Sequence, residues 1–167
     1  PAKASATEVE NKIKLNVLSY TPEGTLTSNV SSTLKNNIST YLSNHRMIND
    51  YIMVGSAKVI DLRLEIDLII ANDVNQSEVV TNVITVVGDY FKTDKIEMGQ
   101  DLSLGELRKQ IMNQEGVSNI VDVRVYNQVG DPYSQSVSTQ PYINNTTKQI
   151  GLIDDTIFAQ PDEILQI

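Results

Sequence analysis

Val59-Ile60-Asp61-Leu62-Arg63-Leu64-Glu65-Ile66-Asp67-Leu68-Ile69-Ile70 is the stretch whose reading decides the fold. Taken alternately, Ile60, Leu62, Leu64, Ile66, Leu68 and Ile70 fall on one side, and Asp61, Arg63, Glu65 and Asp67 on the other. Side chains of a strand alternate between its faces, so this pattern is a β-strand with one apolar face and one solvated face. A slip of one residue would turn those charges into the core, which specifies the register strongly. On this reading the neighbouring segments serve to cover the apolar face, and Ile66→Asp unfolds the domain by burying an unpaired charge at the centre of the sheet.

Upstream, residues 50–54 predict a short strand, with Gly55 marking a bend or bulge before the central strand. Val30, Leu34, Ile38, Tyr41 and Leu42 recur at spacings of three and four, the stripe of an amphipathic helix. Ser28 is placed to cap its start, and His45 with Arg46 to meet the negative end of its dipole. Ile13, Leu15 and Val17 alternate in a strand over 13–20, which the turn Pro22-Glu23-Gly24 ends. Residues 1–12 have little apolar content and read as an arm or linker.

Downstream, the central strand stops near Asn72-Asp73 and a helix is predicted over 76–91. Asn75 and Glu78 have capping-box spacing, and Val79, Val80, Val83, Ile84, Val87, Tyr90 and Phe91 form its buried stripe. Residues 92–100 are a polar connector closed by Gly99. Ser103 and Glu106 form a capping box for a short helix whose apolar face is Leu104, Leu107 and Ile111, with Gly116 as its left-handed closure. Residues 120–126 predict a strand with Val121, Val123 and Val125 on one side and Asp122 and Arg124 on the other, which puts Arg124 within reach of Glu65 or Asp67. Short strands over 149–158 and 163–167 flank a turn at Pro161-Asp162.

Residues 130–148 are rich in Ser, Thr, Asn, Gln and Pro, with Tyr133, Tyr142 and Ile143 embedded. The segment reads either as a mobile surface loop or as an arm that orders against another subunit. On the second reading Tyr133, Tyr142 and Ile143, with Ile157 and Phe158 on the strand that follows, are the candidate subunit interface. The element order describes an α+β fold. A mainly antiparallel or mixed sheet carries two to three helices on one face, close to a split βαβ plan. It forms a single domain over residues 13–167.

Composition narrows the function. The net charge of −8 opposes phosphate backbones, and nothing resembles a clustered basic patch. With no cysteine and one histidine, thiolate chemistry, disulfides and multi-histidine metal sites within one chain are excluded. No apolar run approaches the roughly 20 residues of a membrane-spanning helix. Asp73, Asn75 and Ser77 open like a calcium loop, but Glu78 stands at its sixth position and Ile84 at its twelfth. Asp154 and Asp155 are neighbours and would point apart on a strand; Glu65 and Asp67 share a face but read as its wet side. His45 is better explained by its place at a helix end than as a base. Nucleophile elbow, phosphate loop and dinucleotide fingerprint are all missing. No catalytic, metal or cofactor-binding residue is therefore assigned, and the chain is read as no enzyme. It starts with Pro1 and ends on Ile164, Leu165 and Ile167, as expected of a processed protein or a fragment of a longer one.

One stretch carries a resemblance. A helix ending Val87-Gly88-Asp89-Tyr90-Phe91 leads to Met98-Gly99-Gln100-Asp101-Leu102-Ser103-Leu104-Gly105-Glu106-Leu107, then Ile111, Glu115-Gly116-Val117 and the strand Asn119-Ile120-Val121-Asp122-Val123-Arg124-Val125. This resembles the carboxy-terminal part of the baseplate J-like family of contractile phage tails, with the baseplate wedge proteins of T4-like phages as the nearest pattern. The likeness runs over residues 34–127; the turn is Glu-Gly-Val where many relatives have Pro-Gly-Val. It implies a structural part of a virion tail baseplate, assembled in the host cytoplasm. Copies pair as homodimers, the dimers join in a ring around the central hub, and other wedge and sheath-initiating proteins are partners; nucleic acid and membrane are not. The alternative, from element order alone, is a ferredoxin-like regulatory domain that binds a small molecule.

Overall fold

The deciding stretch is a single strand, β5 (Lys58–Ile70), and it continues from β4 (Ile52–Ser56) with only Ala57 between them. The computed structural model describes residues 2–10, 12–45, 51–140 and 142–167; Arg46 and Asp50, which figured in the sequence reading, lie outside them. β4 and β5 belong to different sheets. In the first, β1 (Lys3–Val9) and β2 (Lys12–Tyr20) form an antiparallel hairpin, β3 (Leu26–Thr27) adds to β2, and β4 runs parallel to β2 with Ile52 opposite Ile13. The change of sheet takes one peptide. The Ala57 amide donates to the Val17 carbonyl at 3.0 Å, and the next amide, Lys58, donates to Asp162 at 2.8 Å.

The second sheet has the order β10 (Glu163–Gln166), β5, β7 (Val117–Gln128), β8 (Gln149–Ile150). β10 is parallel to β5 and β7 antiparallel to it. Leu64 and Ile66 therefore lie beside Val125 and Val123 on the apolar side, while Glu65 lies beside Arg124 on the other. That pairing was expected. Arg124 reaches Asp67 at 2.9 Å, Asp122 at 2.7 Å and Glu65 at 3.4 Å. Asp67, then Asp122, hold its guanidinium above the usual arginine range by hydrogen bonding. Arg63 sits 4.6 Å from the centre of the Tyr126 ring, a cation–π contact across the strands.

Among the described residues three helices complete the α+β fold. α1 (Ser32–Ser43) lies against β4 with Leu34, Ile38 and Leu42 half-buried; its cap is Ser31, whose hydroxyl accepts from the Leu34 amide, not Ser28. α2 (Gln76–Tyr90) is capped by Asn75, and α3 (Leu104–Met112) by Ser103, which accepts from the Glu106 amide at 3.4 Å. Leu104, Leu107 and Ile111 of α3 are buried in the same cluster as Val123 and Val125. β6 (Leu102–Ser103) and β9 (Thr156–Ile157) form a two-stranded ladder beside it. Gly116 follows α3 at φ +85°, and a Cβ there would stand 2.6 Å from Val79, so glycine joins the third helix to β7 directly under the start of the second.

Several expectations change. Residues 3–9 are not an arm: they pair with β2 along their whole length, because tertiary pairing overrides the weak apolar signal of Lys3-Ala4-Ser5-Ala6-Thr7-Glu8-Val9. Val121 does not share the face of Val123. The register shifts between Asp67 and Leu68, where β7 carries one extra residue, and Val121 is turned out to 62% exposure. Gly55 lies within β4, opposite Asn16, and the break comes at Ala57.

β5 itself is covered unevenly. Val59, Ile60, Asp61 and Leu62 are all buried, whereas Leu64, Ile66, Leu68 and Ile70 are only half-buried. The centre of the core is thus at Leu62, which is 1% exposed, and not at Ile66. Leu62→Ala should cost about 2–5 kcal/mol in urea unfolding, and Ile66→Ala distinctly less. Equal losses at the two positions would show that Ile66 is as enclosed as Leu62.

Candidate functional site

The residues weighed for chemistry do not converge. His45 is exposed, stacks on Tyr41 and hydrogen-bonds through Nδ1 to the Tyr41 carbonyl at 2.9 Å, so it finishes α1. Asn75 accepts from the Ser77 amide as a helix cap. Asp154 and Asp155 form a turn with positive φ, from which the Asp155 carbonyl receives the first amide of α3. Among the described residues no group of three or more His, Cys, Asp or Glu side chains is arranged to hold a metal. No helix among them is long and apolar enough to cross a membrane.

The polar segment after β7 has a defined course. Three buried polar side chains bind it to its own chain. Asp61 accepts from the Ser134 amide and from the Gln166 side chain, both at 2.7 Å. Asn127 accepts from the Ser138 amide at 2.8 Å and donates to the Asp61 carbonyl at 3.1 Å. Glu163 accepts from the Thr139 hydroxyl at 3.2 Å and from the Gln160 amide at 3.2 Å, with the Lys58 ammonium 3.6 Å away. Gln140 pairs with the backbone of Phe158 through both ends of its amide. Buried carboxylates are costly unless such donors surround them, so these residues and residues 134–140 depend on each other. The Ser, Thr and Gln content that suggested mobility is the chemistry of attachment.

The residues expected at an interface are dispersed. Ile157 is 0% exposed, packed in this chain's own core, and takes no part in a surface. Tyr142 is exposed and shares a shallow depression with the half-buried Ile143 and with Ile150. Phe158 is exposed beside Gln140. Tyr133, 45% exposed, is elsewhere, in the lining of a larger groove.

Sequence reading missed that groove. It has a volume of about 840 Å³, with Leu64, Ile66, Leu68 and Ile70 of β5 on one side and Val80, Val83, Ile84 and Val87 of α2 on the other. It exists because α2 buries Val79 and Val83 but leaves Val80 and Ile84 outside at 43% and 65% exposure. The predicted stripe was therefore wider than the surface that covers it. Arg63 is the charged side chain of its lining, which Ile167 and Tyr133 also join.

These features define an α+β module of two four-stranded sheets joined through the consecutive strands β4 and β5, with an open aliphatic groove on the helical side. No family model matches the chain, and no curated protein does. Among solved structures, a chain of the cryo-EM structure of the anti-feeding prophage baseplate, 6-fold symmetrised, is similar in fold, with a TM-score of 0.52 at 10% sequence identity. The likeness covers 82% of this chain and 25% of that one, so this chain spans a quarter of its length.

Asp61→Ala leaves the Ser134 amide and the Gln166 side chain without their acceptor and should cost about 1–3 kcal/mol. Limited proteolysis should then cut between residues 130 and 140. Unchanged stability and cleavage would show that the segment is held without Asp61.

Proposed function

We propose that this chain is a structural module of a contractile-tail baseplate, an assembly domain of wedge type that helps build the ring around the central hub. The observation that carries the reading is the fold shared with part of a baseplate chain over 82% of these residues. The wedge-like pattern over residues 34–127 points the same way. In this role the chain acts through contacts and catalyses nothing. Its partners are further copies of itself, paired as dimers, and neighbouring wedge and sheath-initiating proteins, and its place is the tail of the virion. Tyr142, Ile143 and Phe158 offer one contact surface and Tyr133 another. The small-molecule reading finds less support, because the groove is aliphatic and supplies few polar groups to orient a ligand.

Tail particles purified from the source and labelled with gold-conjugated antibody against this chain should carry gold at the baseplate end in electron micrographs. Tails without label, or label along the tube, would overturn the assignment.

A further inference from the structure

Asp61 is buried to 8% exposure, and its charge has no counterpart within the chain. Its carboxylate accepts from two neutral donors, the Ser134 amide on Oδ2 and the Gln166 side-chain amide on Oδ1. No ion pair among the described residues includes it. Glu163, the other buried carboxylate, has the Lys58 ammonium 3.6 Å away. Buried charges are ordinarily paired, and each carboxylate oxygen of Asp61 keeps an acceptor position beyond the bond it makes.

Asp61 also lines a pocket of about 390 Å³ where the two sheets meet. Asp61 and Gln166 come to it from β5 and β10, Leu26 and Thr27 from β3, and Ser134 from the segment after β7. Its character differs from that of the aliphatic groove. Hydroxyls of Thr27, Ser28 and Thr93 share the lining with the apolar side chains of Leu26, Val59 and Phe91, and Asp61 is its charged side chain.

That set of groups selects among cations. A metal ion needs further ligands, and among the described residues no group of three His, Cys, Asp or Glu side chains is arranged to hold one. A guanidinium seeks both carboxylate oxygens at once with a planar fork, and here each oxygen already holds a donor. A primary ammonium is a point charge with three N–H donors. One suits a remaining position on Asp61 and the others suit hydroxyl oxygens, while an aliphatic stem lies along Leu26, Val59 and Phe91. The net charge of −8 draws such a cation towards the chain.

We propose that this pocket binds a primary ammonium carried on an aliphatic stem, with Asp61 as its counter-ion. A lysine side chain of a neighbouring protein and a free alkylamine offer the same group. The site goes beyond the assembly reading and does not depend on it.

NMR titration of the isotope-labelled chain tests it, with N-acetyl-lysine methylamide and n-pentylamine as separate probes and N-acetyl-norleucine methylamide as the uncharged control. An ammonium probe should bind at least about 10-fold more tightly than the control and shift the signals of the Ser134 amide and the Gln166 side-chain amide. Binding of the lysine probe alone identifies a partner's lysine as the source, and binding of pentylamine alone a free amine. Asp61→Asn keeps an acceptor for Ser134 and, with the Gln166 amide turned over, a donor to it. It should weaken binding about 10-fold or more. Thr93→Trp brings bulk into the lining without altering either partner of Asp61, and should abolish binding. Urea unfolding checks that each variant folds, and Thr93→Trp decides if Asp61→Asn does not. A control that binds as tightly as the ammonium probes, no shift at Ser134 and Gln166, or undiminished binding by a folded variant overturns the inference.

Discussion

The structure depends on the pair of hydrogen bonds made by the amides of Ala57 and Lys58. The first goes to β2 and the second to the turn before β10, so adjacent peptides belong to different sheets. A backbone donor left unpaired in an interior costs free energy comparable to a lost hydrogen bond; Ala57 is buried in the core and Lys58 is half-buried beside it. The two sheets must therefore form together around this point. Leu18 and Leu26 from the first and Val59, Ile60 and Ile164 from the second accordingly meet in one cluster. The long ribbon is a shared strand, and the alternation that marks it in the sequence belongs to its second half.

Polar burial organises the same end of the second sheet. Asp61, Asn127 and Glu163 stand on three adjacent strands and face the segment that follows β7. Their partners are backbone amides, a hydroxyl and a side-chain amide, which fix position more narrowly than apolar contact does. A segment without regular structure thereby becomes part of the edge of the sheet. It also brings Tyr133 into the lining of the groove.

The sequence disclosed elements whose signals are local. The alternation of β5, the caps at Asn75 and Ser103, the apolar face of α3 and the left-handed Gly116 all stand where their residues placed them. Features set by distant partners could not be read in the same way. β1 consists of small and polar residues and is a strand only because β2 lies beside it. Val121 changes face because of a one-residue excess over β5, which periodicity within one strand does not reveal. Asp61 looked solvated because its neighbours at intervals of two are charged, and it is buried because a segment more than sixty residues away folds over it. The groove was hidden for a related reason: helical spacing shows which residues of α2 are apolar, and not how many of them the sheet can reach.

Continuity of the shared strand has a mechanical consequence. Where two lobes are joined by a linker, each can swing while its own ladder stays intact. Here any rotation of the first sheet against the second must twist the covalent chain at Ala57 and break ladder bonds on one side or the other. Load applied to the first sheet passes into β5 as shear along its length, resisted at once by the hydrogen bonds to β7 and β10. The chain is built as a stiff lever with no hinge at its middle.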